Sequence, residues 1–281
     1  MARRATPRPE YEQPQVITPD SVTRHIWGDA ESGFVGDEVL LSTERLHALI
    51  FTLPPGGSFG HSPDNRTVFA ADEVYSVLEG TIAVIDPATG QVVPASQGDA
   101  VFFRRDTWHH GVNWGSGPVR VLEFFSPPPA TGASSAYAKT VPYLEQPIHA
   151  DDSVIGVWPM DRPSIESKDS LHLVQGRDMR WRVEGDLQVG LICSTQHLTV
   201  AEISILAGGA SALREHEGDA LLHAIEGEVH IHTPEAESAS WWRVRAGDSM
   251  VIPEGFAYRI VNQSGAPAKL VCGSAPGYLR A

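Results

Sequence analysis

Glu73 and His109 set one half of this 281-residue chain apart from the other. A carboxylate and an imidazole can hold a metal ion or pass a proton. At the corresponding places of the second half stand Ala220 and Tyr258, a methyl group and a phenol. The correspondence comes from an internal repeat. Ser42-Thr43 and Gly56-Gly57 recur as Ser194-Thr195 and Gly208-Gly209 at an offset of 152. Gly80 pairs with Gly227 at 147, and Gly98-Asp99, Asn113 and Pro118 pair with Gly247-Asp248, Asn262 and Pro267 at 149. So small a drift allows only loop-sized insertions, so both copies are expected to fold alike, with unequal chemistry.

The elements that must position these groups read as strands. In each copy short runs rich in Val, Ile, Phe and Tyr alternate with polar residues and end at Gly, Pro, Asp and Asn clusters. Asp86-Pro87-Ala88-Thr89-Gly90 is a hairpin signal, because Pro presets one turn dihedral and Gly supplies a positive one. Many short strands without a long 3.6-residue period indicate an all-β chain of antiparallel sandwiches or small barrels. The length allows two such domains. A net charge of −14 argues against nucleic acid or an anionic membrane as partner. No stretch resembles a secretory signal or a membrane span, so a cytoplasmic location is expected. Cys193 and Cys272 are too few for a disulfide framework and read as buried small hydrophobes.

Glu73, followed after six residues by Gly80, resembles the end of the first cupin motif, and Gly98 through His109 to Asn113 has the spacing of the second. Because both repeats fit, the chain resembles a bicupin. The resemblance implies two tandem double-stranded β-helix, or jelly-roll, barrels. The expected division is 1–35 for an N-terminal arm and first strands, 36–126 for cupin domain 1, 127–185 for a linker or arm, and 186–281 for a degenerate cupin domain 2. Ser126-Pro127-Pro128-Pro129 marks the first boundary, and the chain from Ala130 to about Arg182 reads as polar and irregular.

In cupins, two histidines and a glutamate of the first motif and one histidine of the second usually hold a metal. Glu73 and His109 match, but the usual histidine positions hold Thr67 and Phe69. His61 is the nearest candidate, if SPDNRTVFAAD is an insertion. The resemblance thus implies one divalent ion per chain, held by His61, Glu73 and His109 with open coordination positions. Fe(II) is the expected ion, with Mn(II), Ni(II) or Zn(II) as alternatives. Strand alternation puts Tyr75 and Val77 on the face of Glu73, where Tyr75 either donates a hydrogen bond to substrate or fills the core. Arg104 and Arg105 could steer a carboxylated or phenolate substrate at the mouth. Phe102, Phe103 and Trp108 supply apolar bulk. His110 should face away from His109, His47 is a weak candidate, and Glu123 reads as a rim residue.

In the second copy His216 matches one first-motif ligand. Asp219 and His223 lie near it, with His223 expected to face away, and His230 and His232 are expected to flank a turn. A metal-free second barrel follows. The leading functional expectation is an Fe(II)-type dioxygenase acting on a small aromatic, phenolic or enolisable substrate. The alternatives are a non-oxidative metal-dependent isomerase, lyase or cyclase, and a non-catalytic small-molecule binding cupin. A homodimer is implied by resemblance.

Overall fold

A computed structural model of the chain describes residues 6–60, 71–87, 90–103, 107, 109–126, 151–152, 156–157 and 170–278. Its strands are β1 (Gln15–Ile17), β2 (Thr23–Asp29), β3 (Gly33–Ser42), β4 (His47–Leu53), β5 (Ser58–Phe59), β6 (Asp72–Glu79), β7 (Thr81–Asp86), β8 (Gln91–Ser96), β9 (Ala100–Phe103), β10 (His110–Asn113) and β11 (Val119–Ser126). There follow β12 (Asp151–Asp152), β13 (Gly156–Val157), β14 (Leu171–Val174), β15 (Arg180–Glu184), β16 (Leu187–Ser194) and β17 (Thr199–Ile205). The last are β18 (Asp219–Glu226), β19 (Glu228–His232), β20 (Trp241–Arg245), β21 (Ser249–Ile252), β22 (Arg259–Val261) and β23 (Ala268–Ala275). No helix long and apolar enough to cross a membrane occurs among the described residues.

The described residues are all-β, and each repeat builds a large and a small antiparallel sheet. The first has β14-β9-β6-β11-β4-β3-β2 and β5-β10-β7-β8; the second has β1-β21-β18-β23-β17-β16-β15 and β20-β19-β22. Six strands run in the same order in the two large sheets, which is the fold-level form of the sequence repeat; the edge strands β14 and β1 follow the first copy and precede it, respectively.

Two compact units result, and neither is contiguous. The first groups Met1–Arg8, Thr23–Pro147 and Met160–Asp178; the second groups Pro9–Val22, Ile148–Pro159 and Met179–Ala281. Residues 171–174 and 180–184, read from sequence as irregular, are strands. Leu171 pairs with Phe103 and Arg180 with Leu191. A four-residue strand is too short for its alternation to stand out, so the linker composition masked both. Gln91 latches β14 in place: its Oε1 accepts from Ser170 N and Leu171 N, each at 3.0 Å, and its Nε2 donates to Leu171 O at 2.7 Å.

The repeated landmarks have repeated jobs. Asn113 Nδ2 donates to Leu53 O and Gly117 O while its Oδ1 accepts from Gly115 N; Asn262 does the same with Ile205 O, Ala266 O and Ser264 N. Gly80 and Gly227 take φ of 76° and 74°, and a Cβ there would meet Pro118 O at 2.5 Å or Pro267 O at 2.7 Å. Only glycine fits such a turn. The first interior is filled by Leu49, Phe51, Phe59, Tyr75, Val77, Val101, Phe103 and Val121, among others.

Candidate functional site

Register on the first large sheet stacks the inward side chains in rungs, because residues directly opposite on antiparallel strands share a face. One rung is Leu171, Phe103, Glu73, Phe125 and His47. The next holds Val101, Tyr75, Glu123 and Leu49. Asp37 stands opposite Phe51 on the strand beyond. His109 precedes β10 and lies at ring-centroid distances of 4.7 Å from Phe103 and 6.0 Å from Phe59.

His109 is the pivot. Its Nδ1 is 3.2 Å from Thr107 O, and since a carbonyl can only accept, Nδ1 carries the proton. Nε2 therefore presents a lone pair, which accepts from the Tyr75 hydroxyl at 3.1 Å and lies 3.6 Å from Glu73 Oε1. Burial lowers the His109 pKa to about 4, against smaller opposing effects from the Thr107 carbonyl and Asp86, so the ring is neutral.

Burial raises Glu73 to about 8, partly offset by hydrogen bonding to Glu123 and Tyr75. It also raises Glu123 well above the ordinary carboxyl value, reinforced by Glu73. Between them the two acids keep a proton at neutral pH. Asp37 is raised by burial and then by the charge of Glu123. Tyr75 is raised by burial, then by Glu123 and Glu73. Glu73 Oε1 is buried without a hydrogen-bond partner.

Of the site residues read from sequence, Glu73, Tyr75 and His109 come together in this cluster. His61, Arg104, Arg105 and Trp108 lie outside the described residues. Phe103 faces the cluster, with its ring 4.6 Å from that of Tyr75. His47 is buried and bonds Ser42 Oγ at 2.8 Å. Glu123 is not at the rim: it is 7% exposed and faces Tyr75. Its neighbours Leu122 and Phe124 are apolar too, so β11 shows no hydrophobic alternation that would have revealed its side. Asp37, 6% exposed, lies on the buried side of an alternating stretch of β3, between half-buried Gly36 and Glu38. Counting parity from Val121 would have placed Glu123 inside.

A metal site needs donors that converge. Two ligands each about 2.1 Å from an ion sit roughly 3–3.5 Å apart, close to the separation of Glu73 Oε1 and His109 Nε2. An orphaned carboxylate oxygen beside an imidazole lone pair suits a divalent ion. Among the described residues no group of three or more His, Cys, Asp or Glu has metal-holding geometry, and His61, the third donor expected from sequence, lies outside them.

The second barrel is built differently. His216 Nε2 accepts from Tyr258 Oη at 2.8 Å, and its Nδ1 donates to Tyr278 O. Arg214 pairs with Glu184 at 3.1 Å and donates to the Tyr278 hydroxyl. Burial and Arg214 lower the His216 pKa to about 3. His223 bonds Ser249 Oγ at 2.9 Å. His230 and His232 do not flank a turn but lie on one face of β19, where alternate residues point the same way.

The cupin domain profile matches residues 49–125 and 201–273, one stretch in each barrel and together just over half of the chain. The chain belongs to the cupin family. No curated protein matches the sequence. Among solved structures, this cupin is similar to a glyoxylate-induced protein from Pseudomonas aeruginosa at 15% identity and a TM-score of 0.66, covering 100% of this chain and 96% of that one. It is also similar to the protein YlbA from E. coli, at 12% identity and a TM-score of 0.66, over 98% and 94% of the two chains. A third is the oxalate decarboxylase of Bacillus subtilis with its Mn(II) centres, at 12% identity and a TM-score of 0.59, over 98% and 80%. At these identities the likeness speaks for the bicupin fold alone.

Proposed function

We propose that the first barrel is the working half of a metal-dependent enzyme that moves a proton on a small enolisable or phenolic molecule, in the class of isomerases, lyases and cyclases. The observation that supports this is the meeting of Glu73, Tyr75, His109 and Glu123 in one buried cluster, with Tyr75 Oη 3.1 Å from His109 Nε2. Glu73, His109 and, by the sequence reading, His61 would hold the ion. When bound, the ion supplies Lewis-acid polarisation of a substrate oxygen.

The chain's own groups then have distinct tasks. With His109 Nε2 committed as a ligand, the Tyr75 hydroxyl loses that acceptor and turns to a carboxyl neighbour or to a substrate oxygen. Glu123, cross-strand from Tyr75, is placed to return a proton to Tyr75 Oη. Phe51, Phe59 and Phe103 keep water away. The Mn(II) centres of the Bacillus subtilis enzyme put Mn(II) beside Fe(II) as the ion to seek. Arg104 and Arg105 keep the steering role proposed for them.

A dioxygenase is the second reading, favoured by the aromatic wall beside the donors. The two part in a single experiment: turnover of a diketone or phenolic substrate by the metal-loaded protein, under air and under nitrogen. Turnover under nitrogen supports proton transfer, whereas product formed only with consumption of oxygen overturns it in favour of the dioxygenase. Metal retained by both Glu73→Ala and His109→Ala rejects the site itself.

A further inference from the structure

The outer face of the second small sheet carries side chains that the fold does not ask for. On β19 the fully buried Val229 and Ile231 point into the barrel, so Glu228, His230 and His232 point out. Register sets Arg245 opposite Glu228, Arg243 opposite His230, and Trp241 and Arg259 on either side of His232. The first barrel keeps the same pairings with other residues: Ala83, Ile85, Val92 and Pro94 stand where the second has His230, His232, Trp241 and Arg243, and His110 stands for Arg259. One face is mostly apolar and the other basic, in a chain whose net charge is −14.

The donors on this face are largely uncommitted. Nδ1 of both His230 and His232 is buried without a hydrogen-bond partner. A ring nitrogen with no acceptor costs least as a bare lone pair, so each ring carries its N–H on Nε2, toward solvent. Glu228 is the one acid in these rows; it takes Arg243 at 2.6 Å and Arg245 at 3.3 Å, and both arginine side chains stay more than half exposed. Arg259 has no carboxylate partner among the described residues and lies 5.8 Å from the Trp241 ring centroid, while His232 stacks on that ring at 4.4 Å. Guanidinium forks beside imidazole N–H groups suit an anion with several oxygens, phosphate above all, because a fork binds two of its oxygens at once. Three arginines would repel a metal dication. Acids bound the face at its ends: Glu235 and Glu237 in the turn beyond Trp241, and Asp248 beyond Arg245. They repel a long polyanion and leave room for one compact anion. Trp241, 46% exposed, adds a flat apolar shelf beside the donors.

We infer that this outer face is a binding site for a small phosphate monoester with a planar ring, in which Arg243, Arg259, His230 and His232 receive the phosphate and Trp241 the ring. The site is separate from the cluster of Glu73 and His109 and does not depend on the metal reading of the first barrel.

The test is calorimetric titration of the full-length protein, as purified, with phenyl phosphate and with inorganic phosphate at low ionic strength. Phenyl phosphate is expected to bind severalfold more tightly than inorganic phosphate. Arg243→Gln combined with Arg259→Gln should weaken phenyl phosphate roughly tenfold or more, since two charge-assisted contacts are lost. Trp241→Ala should bring phenyl phosphate down to the level of inorganic phosphate. Glu73→Ala, a change inside the first barrel, should leave both affinities as they are. No binding of phenyl phosphate, unchanged binding in the folded double arginine variant, or a ring preference that survives Trp241→Ala overturns the inference. So does binding that is lost in Glu73→Ala and kept in the arginine variant, which would put the anion in the first barrel. Should the double variant not fold, Arg259→Gln alone, which breaks no ion pair among the described residues, decides by the same criterion.

Discussion

Six inward polar positions of the first barrel have counterparts in the second. By strand register, Asp37, His47, Glu73, Tyr75 and Glu123 correspond to Val189, Thr199, Ala220, Leu222 and Cys272, and by sequence offset His109 corresponds to Tyr258. The pairings that frame these residues are kept: Phe125 opposite Glu73 becomes Ser274 opposite Ala220, and Ser42 opposite His47 becomes Ser194 opposite Thr199. One backbone thus carries two kinds of interior. The second turns most of its polar groups on one another through Arg214, Glu184, His216, Tyr258 and Tyr278, with Arg214 Nε and Glu184 Oε1 left without hydrogen bonds. The first turns an imidazole lone pair toward a tyrosine hydroxyl and leaves Glu73 Oε1 without a hydrogen-bond partner. A fold's stability needs the former; chemistry needs the latter, because a group satisfied by its own chain has nothing left for a substrate.

The largest effect expected from this contrast is in metal content. Glu73→Ala or His109→Ala should lose nearly all bound metal, whereas Tyr258→Ala should lose none, as measured by elemental analysis of protein purified without added metals. Equal loss in all three would erase the distinction. Next comes Arg214→Met, which removes a buried guanidinium from between Glu184 and the Tyr278 hydroxyl, leaving the half-buried Glu184 only Arg182 at 3.3 Å, and should cost about 2 kcal/mol in urea unfolding, with metal content unchanged once folded. A neutral outcome would mean that the second interior is not held by its ion pair.

Asn113→Ala and Asn262→Ala should each cost about 2 kcal/mol, since they remove three and four hydrogen bonds from a buried loop clamp. Markedly unequal costs would show that the copies differ in scaffold as well as in site. The smallest effect is a pH dependence confined to the first barrel, seen in chelator-treated protein. Glu73 has a folded pKa raised to about 8 from 4.5, so its neutral form favours the fold at low pH and that contribution falls as pH rises through this window. The stability of the native sequence relative to Glu73→Gln should therefore decline from pH 4.5 to 8 and level off above. A rise over that range would show that Glu73 is charged in the folded protein.

The duplication, the strands and the inequality between Glu73 and Ala220 were legible in the sequence because glycine and asparagine turn landmarks recur wherever a loop must close in the same way. The inward face was legible on β6, where Glu73, Tyr75 and Val77 alternate. It was masked on β11, where both faces are buried and apolar residues fill them alike, so that only parity from Val121 places Glu123; on β3 the buried Val35, Asp37 and Val39 alternate with half-buried Gly36 and Glu38, a pattern that puts Asp37 inside. The closing strands were hidden too. Leu171–Val174 is too short to carry a period, and Gln91, which binds it, reads as an ordinary polar residue at the start of a hairpin strand. The role of Arg214 was invisible because its partners Glu184 and Tyr278 are distant in sequence.

The strand β1 has a consequence for how the protein is made. It is synthesised well ahead of its partner β21, and Gln13 beside it reaches Glu237, 224 positions along the chain. At ordinary rates of synthesis that wait is on the order of ten seconds or more. The first barrel can close as soon as β14 emerges, while β1 stays unsheltered until the second barrel is made. Removing β1 should therefore injure the second barrel, although β1 itself is synthesised ahead of the first.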